Sequence, residues 1–230
     1  MKIGVIGPTE REIMQFINRI SNKQIIKHAM IKFYSGIYEG AEVVAVISGV
    51  CKVNAAIAAQ LLIDKFRVTH IILTGVAGGL SGQLKIGDIV IAKEIAYHDV
   101  ASKNLTKYHP YMEDMYFKPD NALLRLSEEA AQSIKNKNKY YTGRIITGEA
   151  FITHNERASL IERFNPLCVD MESASIAHTC YVNSIPFIII RAISDNADEK
   201  GAETFENNVE TAASNAIELA EEIIKKIQII

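Results

Sequence analysis

The stretch His70-Ile71-Ile72-Leu73-Thr74-Gly75-Val76-Ala77-Gly78-Gly79 starts as an apolar, β-branched run and ends in three glycines among small residues. Its first four residues read as a buried strand. The glycine part either brings a ligand close to the backbone, since glycine has no Cβ, or makes a tight strand-to-helix turn, and the residues alone leave both open. Similar runs recur at 3–6, 43–47, 88–91, 144–146 and 187–191. Between them, 53–66, 121–134, 173–181 and 208–227 repeat small and apolar residues at three-to-four spacing, the mark of helices covering a sheet. Residues 31–46 alternate and turn at Glu39-Gly40-Ala41, which predicts an antiparallel hairpin on a mostly parallel sheet. The alternation as a whole specifies an α/β fold with a mixed sheet. Residues 102–119, rich in Tyr, Met, His and Pro, read as a long loop.

At 230 residues and 48% hydrophobic content the chain suits one domain, 1–230. Its 25 Lys+Arg and 27 Asp+Glu are scattered with no basic block, so a nucleic-acid partner is not expected. No run approaches the ~20 apolar residues that span a membrane. The opening Met1-Lys2-Ile3-Gly4-Val5-Ile6-Gly7 reads as strand and turn and not as a signal peptide, which points to the cytoplasm. Cys51, Cys168 and Cys180 form no CxxC pair and suit free thiols in a reducing compartment. The six histidines are dispersed, so no metal is expected. The glycine patterns match neither GxGxxG nor GxxxxGK[ST], so no dinucleotide or NTP cofactor is expected.

Ligands of open α/β sheets gather beyond the carboxyl ends of the strands, and three acids lie there: Glu12, Glu172 and Asp195. Each has a plainer reading. Thr9 and Glu12 fit a capping box, in which Glu12 reaches back to a backbone N–H. Glu172 could favour the positive end of a helix that Asp170 caps. Asp195 could be an exposed turn residue in Ser194-Asp195-Asn196-Ala197-Asp198.

Taken in order, these pieces resemble the bacterial 5′-methylthioadenosine/S-adenosylhomocysteine nucleosidases of the nucleoside phosphorylase/hydrolase superfamily, over nearly the whole chain. The resemblance is carried by Met1–Gly7 with Glu12, by Ser48-Gly49-Val50-Cys51-Lys52-Val53-Asn54-Ala55-Ala56, by Thr74–Gly79 and by Gly87-Asp88-Ile89-Val90. It continues through Tyr97-His98-Asp99, Gly148-Glu149-Ala150-Phe151-Ile152, Val169-Asp170-Met171-Glu172-Ser173-Ala174 and Arg191-Ala192-Ile193-Ser194-Asp195. It implies a three-layer α/β/α sandwich, a purine nucleoside substrate and a homodimer whose partner subunit completes the 5′ pocket. Glu12 would deprotonate the attacking water, Glu172 would hold the ribose hydroxyls, and Asp195 would protonate N7 of the leaving base. Phe151 would stack on the purine, Ile152 would offer backbone groups to its edge, and Met171 would pack on the ribose. Phe205 would close the 5′ end, while Ser194 and Arg191 would position Asp195 and its surroundings. Val50, Val76 and Gly78 would also line the substrate.

The chain departs from the family at Pro8-Thr9, where Ala-Met is usual, at Val76, where Ser is usual, and at 104–112, which replaces an Ala-Phe-Gly-Tyr-Glu-Tyr-Gly run. These positions border the base, the sugar and the 5′ substituent, so altered 5′ specificity is one alternative. Phosphorolysis is another, but phosphate calls for guanidinium or backbone clusters, and Arg11 is the one arginine near the first strand, read as pointing to solvent. A non-catalytic nucleoside sensor is the third, and it would need neither a water-activating base nor an acid for N7.

Overall fold

A computed structural model of the chain describes residues 1–135, 138–152, 154–198 and 200–228. In chain order its elements are β1 (Lys2–Gly7), α1 (Glu10–Arg19), β2 (Ser21–His28), β3 (Ile31–Tyr38), β4 (Ala41–Ile47), α2 (Lys52–Phe66), β5 (His70–Gly79) and β6 (Ile89–Tyr97). Then come α3 (Ser102–Lys107), α4 (Asn121–Ser133), β7 (Tyr140–Thr147), α5 (His154–Phe164), β8 (Cys168–Asp170), α6 (Ser173–Val182), β9 (Phe187–Asp195) and α7 (Gly201–Ile227).

The central strands are unbroken apolar runs because both of their faces are covered. Alternate residues point to opposite sides. Ile72, Ile188 and Ile190 pack with Phe16 of α1, Leu126 of α4 and Ile217 of α7. Ile71, Leu73 and Ile189 pack with Leu62 of α2 and Ile176 of α6 on the other side. Each such side chain taken fully out of water contributes about 1.5–3 kcal/mol, enough to make both helical layers integral. The three-layer α/β/α sandwich is therefore the observed architecture.

The sheet order is β2-β3-β4-β1-β5-β8-β7-β6-β9, and β9 pairs a second time with β5. The strands β5-β8-β7-β6-β9 thus close on themselves, and β5 joins this closed part to the open sheet. Parallel pairs (β1–β4, β1–β5, β5–β9, β6–β7, β7–β8) outnumber the antiparallel ones (β2–β3, β3–β4, β5–β8, β6–β9), so the sheet is mixed and mostly parallel. The 31–46 hairpin is present, turning after Tyr38.

One open alternative is settled and three features differ from the reading of the sequence. The glycine run is no turn: β5 continues to Gly79, and none of its glycines has a positive φ. All eight residues of β2 are exposed, Ile25 and Ile26 included, so this edge strand carries no alternating apolar pattern. The 102–119 loop contains α3 and a bridge from Phe117 to Ile95. Helix α7 starts at Gly201, well before its apolar period sets in.

Candidate active site

Beyond the carboxyl ends of β1, β5, β8 and β9 lies a mainly apolar cavity of about 360 Å³. Glu12, Val50, Val76, Gly78, Phe151, Ile152, Met171, Glu172, Ser194, Asp195 and Phe205 all line it. Pro8 and Thr9, expected to border the substrate, also line it, and Ala77, Ala150, Val169, Asp170, Ala197, Ala202 and Glu206, which the reading of the sequence had not assigned to the substrate, complete the wall.

Arg191 differs from its expected place. It is fully buried behind the wall, does not line the cavity, and turns toward carboxylates other than Asp195. Its Nε donates to Asp170 Oδ2 at 2.7 Å, its Nη2 donates to Glu172 Oε2 at 3.0 Å, and its Nη1 lies 3.9 Å from Glu12 Oε1. This geometry explains the glycine at 75. A Cβ there would meet Arg191 Nη1 at 2.5 Å and Glu12 Oε1 at 2.6 Å, so the strand must be bare where the guanidinium and carboxylate press against it. A second close approach occurs at Gly78, where a Cβ would stand 3.0 Å from both Asp195 Oδ1 and Ala197 Cβ.

The three acids are held in different ways. Glu12 closes only half of a capping box: the Thr9 main-chain N–H favours its anion, but the Thr9 hydroxyl caps nothing on the helix, and Glu12 Oε1 accepts from Val76 N–H at 3.0 Å and Oε2 from the Thr9 hydroxyl at 2.7 Å. Burial raises its pKa, while the Arg191 charge, these two donors and the Thr9 main-chain N–H act the other way. Glu172 sits at the N-cap of α6 but makes no side-chain cap bond. Its Oε1 instead accepts from Cys51 N–H at 3.0 Å. Burial pushes its pKa up to about 7 against the pull of Arg191. Asp170 takes over the helix end, accepting from Ser173 N–H at 3.2 Å and from the Ser173 hydroxyl.

Asp195 is no exposed turn residue, being 1% accessible at the end of β9. Its Oδ1 accepts from Ala197 N–H at 2.8 Å and its Oδ2 from the Ser194 hydroxyl at 2.9 Å. Burial raises its pKa, opposed only by these neutral donors. Glu12 and Asp195 stand beside stations two residues apart on β5, Val76 and Gly78, which is roughly 7 Å of strand rise. Phe151 meets Phe205 edge-on with ring centroids 6.4 Å apart, closing the apolar side.

Arg11 does not reach the cavity interior. It pairs with Glu206 at 2.7 Å and Glu210 at 3.4 Å on α7. Cys51 is the clearest residue that pattern reading missed. Its φ of 80° is strained for a non-glycine, and that backbone turn aims its N–H at Glu172.

Comparison with known proteins gives a consistent result. The family model described as "Phosphorylase superfamily" matches residues 2–225. A 5′-methylthioadenosine/S-adenosylhomocysteine nucleosidase of Exiguobacterium is 34% identical over 99% of this chain and 99% of its own length. The crystal structure of the nucleosidase of that name from Colwellia psychrerythraea, in complex with adenine, matches with a TM-score of 0.92 and 35% identity over 98% of this chain and 95% of that one. The corresponding enzyme of Neisseria meningitidis, in complex with methylthio-immucillin-A, matches with a TM-score of 0.91 and 34% identity over 97% and 98% of the two chains.

Proposed function

The chain belongs to the phosphorylase superfamily, and on that premise we propose that it hydrolyses the N-glycosidic bond of adenine nucleosides. Its substrates are 5′-methylthioadenosine and S-adenosylhomocysteine, giving adenine and the 5-substituted ribose. The observation that carries this reading is the division of the cavity's acids. Glu12 and Glu172 share a buried arginine on one side, and Asp195 has only neutral donors on the other.

N-glycosidic cleavage passes through a cationic, oxocarbenium-like sugar. A water oxygen attacks C1′ and its proton passes to Glu12. The C1′–N9 electron pair leaves with the purine, whose N7 takes a proton from Asp195. Glu172 accepts from the ribose hydroxyls and, as an anion, favours the developing positive charge. Phe151 stacks on the base, Ile152 meets its edge, Met171 and Val50 pack on the ribose side, and Phe205 covers the 5′ end. Val76 and Gly78 set the depth of the pocket. Arg191 binds no substrate: it holds the two glutamates in place. All of these groups belong to one domain, residues 1–230.

Water is favoured over phosphate by charge. Among the described residues, the cation at the cavity's base is Arg191, which faces three carboxylates, so a phosphate dianion would approach a net negative wall. Val53 and Ile57 on α2 and Tyr181 and Val182 on α6, two helices packed together, are exposed apolar residues, as is Val50 at the cavity rim. We assign this face to a second copy of the chain, which would complete the 5′ pocket. No described helix is long and apolar enough to cross a membrane, and we place the protein in the cytoplasm.

The test is adenine release from 5′-methylthioadenosine in phosphate-free buffer, with the sugar product identified. Free methylthioribose, at a rate unchanged by added phosphate, is the expected outcome. A requirement for phosphate with a sugar phosphate as product would replace hydrolysis by phosphorolysis.

A further inference from the structure

Thr9 stands at the N-cap of α1 with extended backbone, where a threonine hydroxyl normally accepts a bond from the first turn of the helix. It makes no such bond. Its Oγ1 donates instead to Glu12 Oε2 at 2.7 Å, and the residue lines the cavity beside that carboxylate. The local helix thus forgoes a cap, and the hydroxyl is spent on a carboxylate three residues on. Because Val76 N–H occupies Oε1, the two donors together fix both oxygens of Glu12 and its rotation about the last side-chain bond. Each oxygen keeps a further lone pair for a water molecule.

We propose that Thr9 is a positioning residue for the reaction: its hydroxyl orients the Glu12 carboxylate and keeps it ionised, ready to accept a proton from water. The inference rests on the assignment of Glu12 as the base.

The environment makes this role necessary. Glu12 is buried, which favours the protonated form, and a protonated Glu12 cannot take a proton. The charged groups facing it are few. From β9, Arg191 stands 3.9 Å away and shares its charge with Asp170 and Glu172. From the β8–α6 junction, Glu172 opposes ionisation. On α7, packed against α1, Glu206 and Glu210 pair with Arg11. From β5 comes only the neutral N–H of Val76. After the Arg191 charge, the directly bonded hydroxyl is the strongest influence favouring the anion, ahead of the main-chain N–H groups of Val76 and Thr9.

The experiment uses protein labelled with ¹³C at glutamate carboxyls, with the Glu12 resonance assigned by its loss in Glu12→Gln. Thr9→Val keeps the β-branched shape and deletes the donor, whereas Thr9→Ser restores it. The Glu12 titration midpoint is expected to rise by about one pH unit in Thr9→Val and return in Thr9→Ser. The acid limb of kcat/KM for 5′-methylthioadenosine should shift the same way. An unchanged midpoint in Thr9→Val, or a lowered Tm with no shift, would reduce Thr9 to a structural role and overturn the inference. The titration reads Glu12 whether or not the nucleoside is hydrolysed, so a wild type that released no adenine would sink the functional reading alone.

Discussion

The two walls of the cavity hold carboxylates by opposite means. Around Glu12 and Glu172, a fully buried guanidinium supplies charge, and main-chain N–H groups of Val76 and Cys51 supply direction. Around Asp195, among the described residues, stand a hydroxyl, one N–H and a dry wall, and the charge of Asp198 raises its pKa further. Burial raises the carboxyl pKa on both walls, but on the first a guanidinium charge pulls back toward the anion, whereas on the second only neutral donors do. One small cavity thereby holds a base and an acid at the same pH, the separation that acid–base catalysis requires.

The largest effect expected from breaking this comparison is Asp195→Asn, which keeps shape and removes the donated proton. Adenine release should fall on the order of 10²–10⁴-fold, the usual worth of one positioned proton transfer. Its melting temperature should stay near wild type, since no buried charge is left unpaired. Arg191→Met breaks the other wall. It leaves Asp170, Glu172 and Glu12 without their counter-ion, so thermal melting should show a loss of about 3–5 kcal/mol, on the order of 10 °C for a chain of this size. Preserved stability would mean that the carboxylates are held mainly by their neutral donors.

Glu172 gives a subtler test. Its pKa rises from 4.5 to about 7 on folding, so the folded state binds the proton more tightly than the unfolded chain. The stability from this group is fully present below pH 4.5 and is lost as pH rises through about 7. Glu172→Gln stays neutral, so its stability relative to wild type should climb between pH 5 and pH 8, by at most about 3 kcal/mol. Denaturant midpoints at the two pH values read this directly, and a parallel decline in both proteins would contradict it. The smallest effects come from the glycines of β5. Gly75→Ala forces a methyl between Arg191 and Glu12 and should cost about 1–3 kcal/mol together with activity. Gly78→Ala meets Asp195 and Ala197 at 3.0 Å and should cost less in stability than its neighbour. Equal losses would show that the two walls are equally tight.

The sheet was legible in the sequence because its strands are buried on both faces, and a run such as Ile188-Ile189-Ile190 admits few other fates. The edge strand β2 was not, because nothing covers it. The three-residue β8 is too short for a period, though the acids after it marked the place. Within the site, the strand-end carboxylates stood out by position, while the role of Arg191 did not. An arginine inside an apolar strand states that it must be paired, but the partners come from residues 12, 170 and 172, which only the fold brings together. The Thr9–Glu12 spacing suggested only half of the arrangement, since a capping box and a hydroxyl-to-carboxylate contact share one sequence pattern and the Thr9 hydroxyl turns to the carboxylate instead of the helix.

The most direct test of the divided cavity uses a leaving group that needs no acid. Hydrolysis of p-nitrophenyl 5-methylthioriboside is compared with that of 5′-methylthioadenosine in wild type, Asp195→Asn and Glu12→Gln. The account predicts that Asp195→Asn retains most of the wild-type rate on the nitrophenyl substrate while losing it on the nucleoside, and that Glu12→Gln loses both. Equal losses on the two substrates in Asp195→Asn would contradict the assignment of Asp195 as the acid for the leaving base.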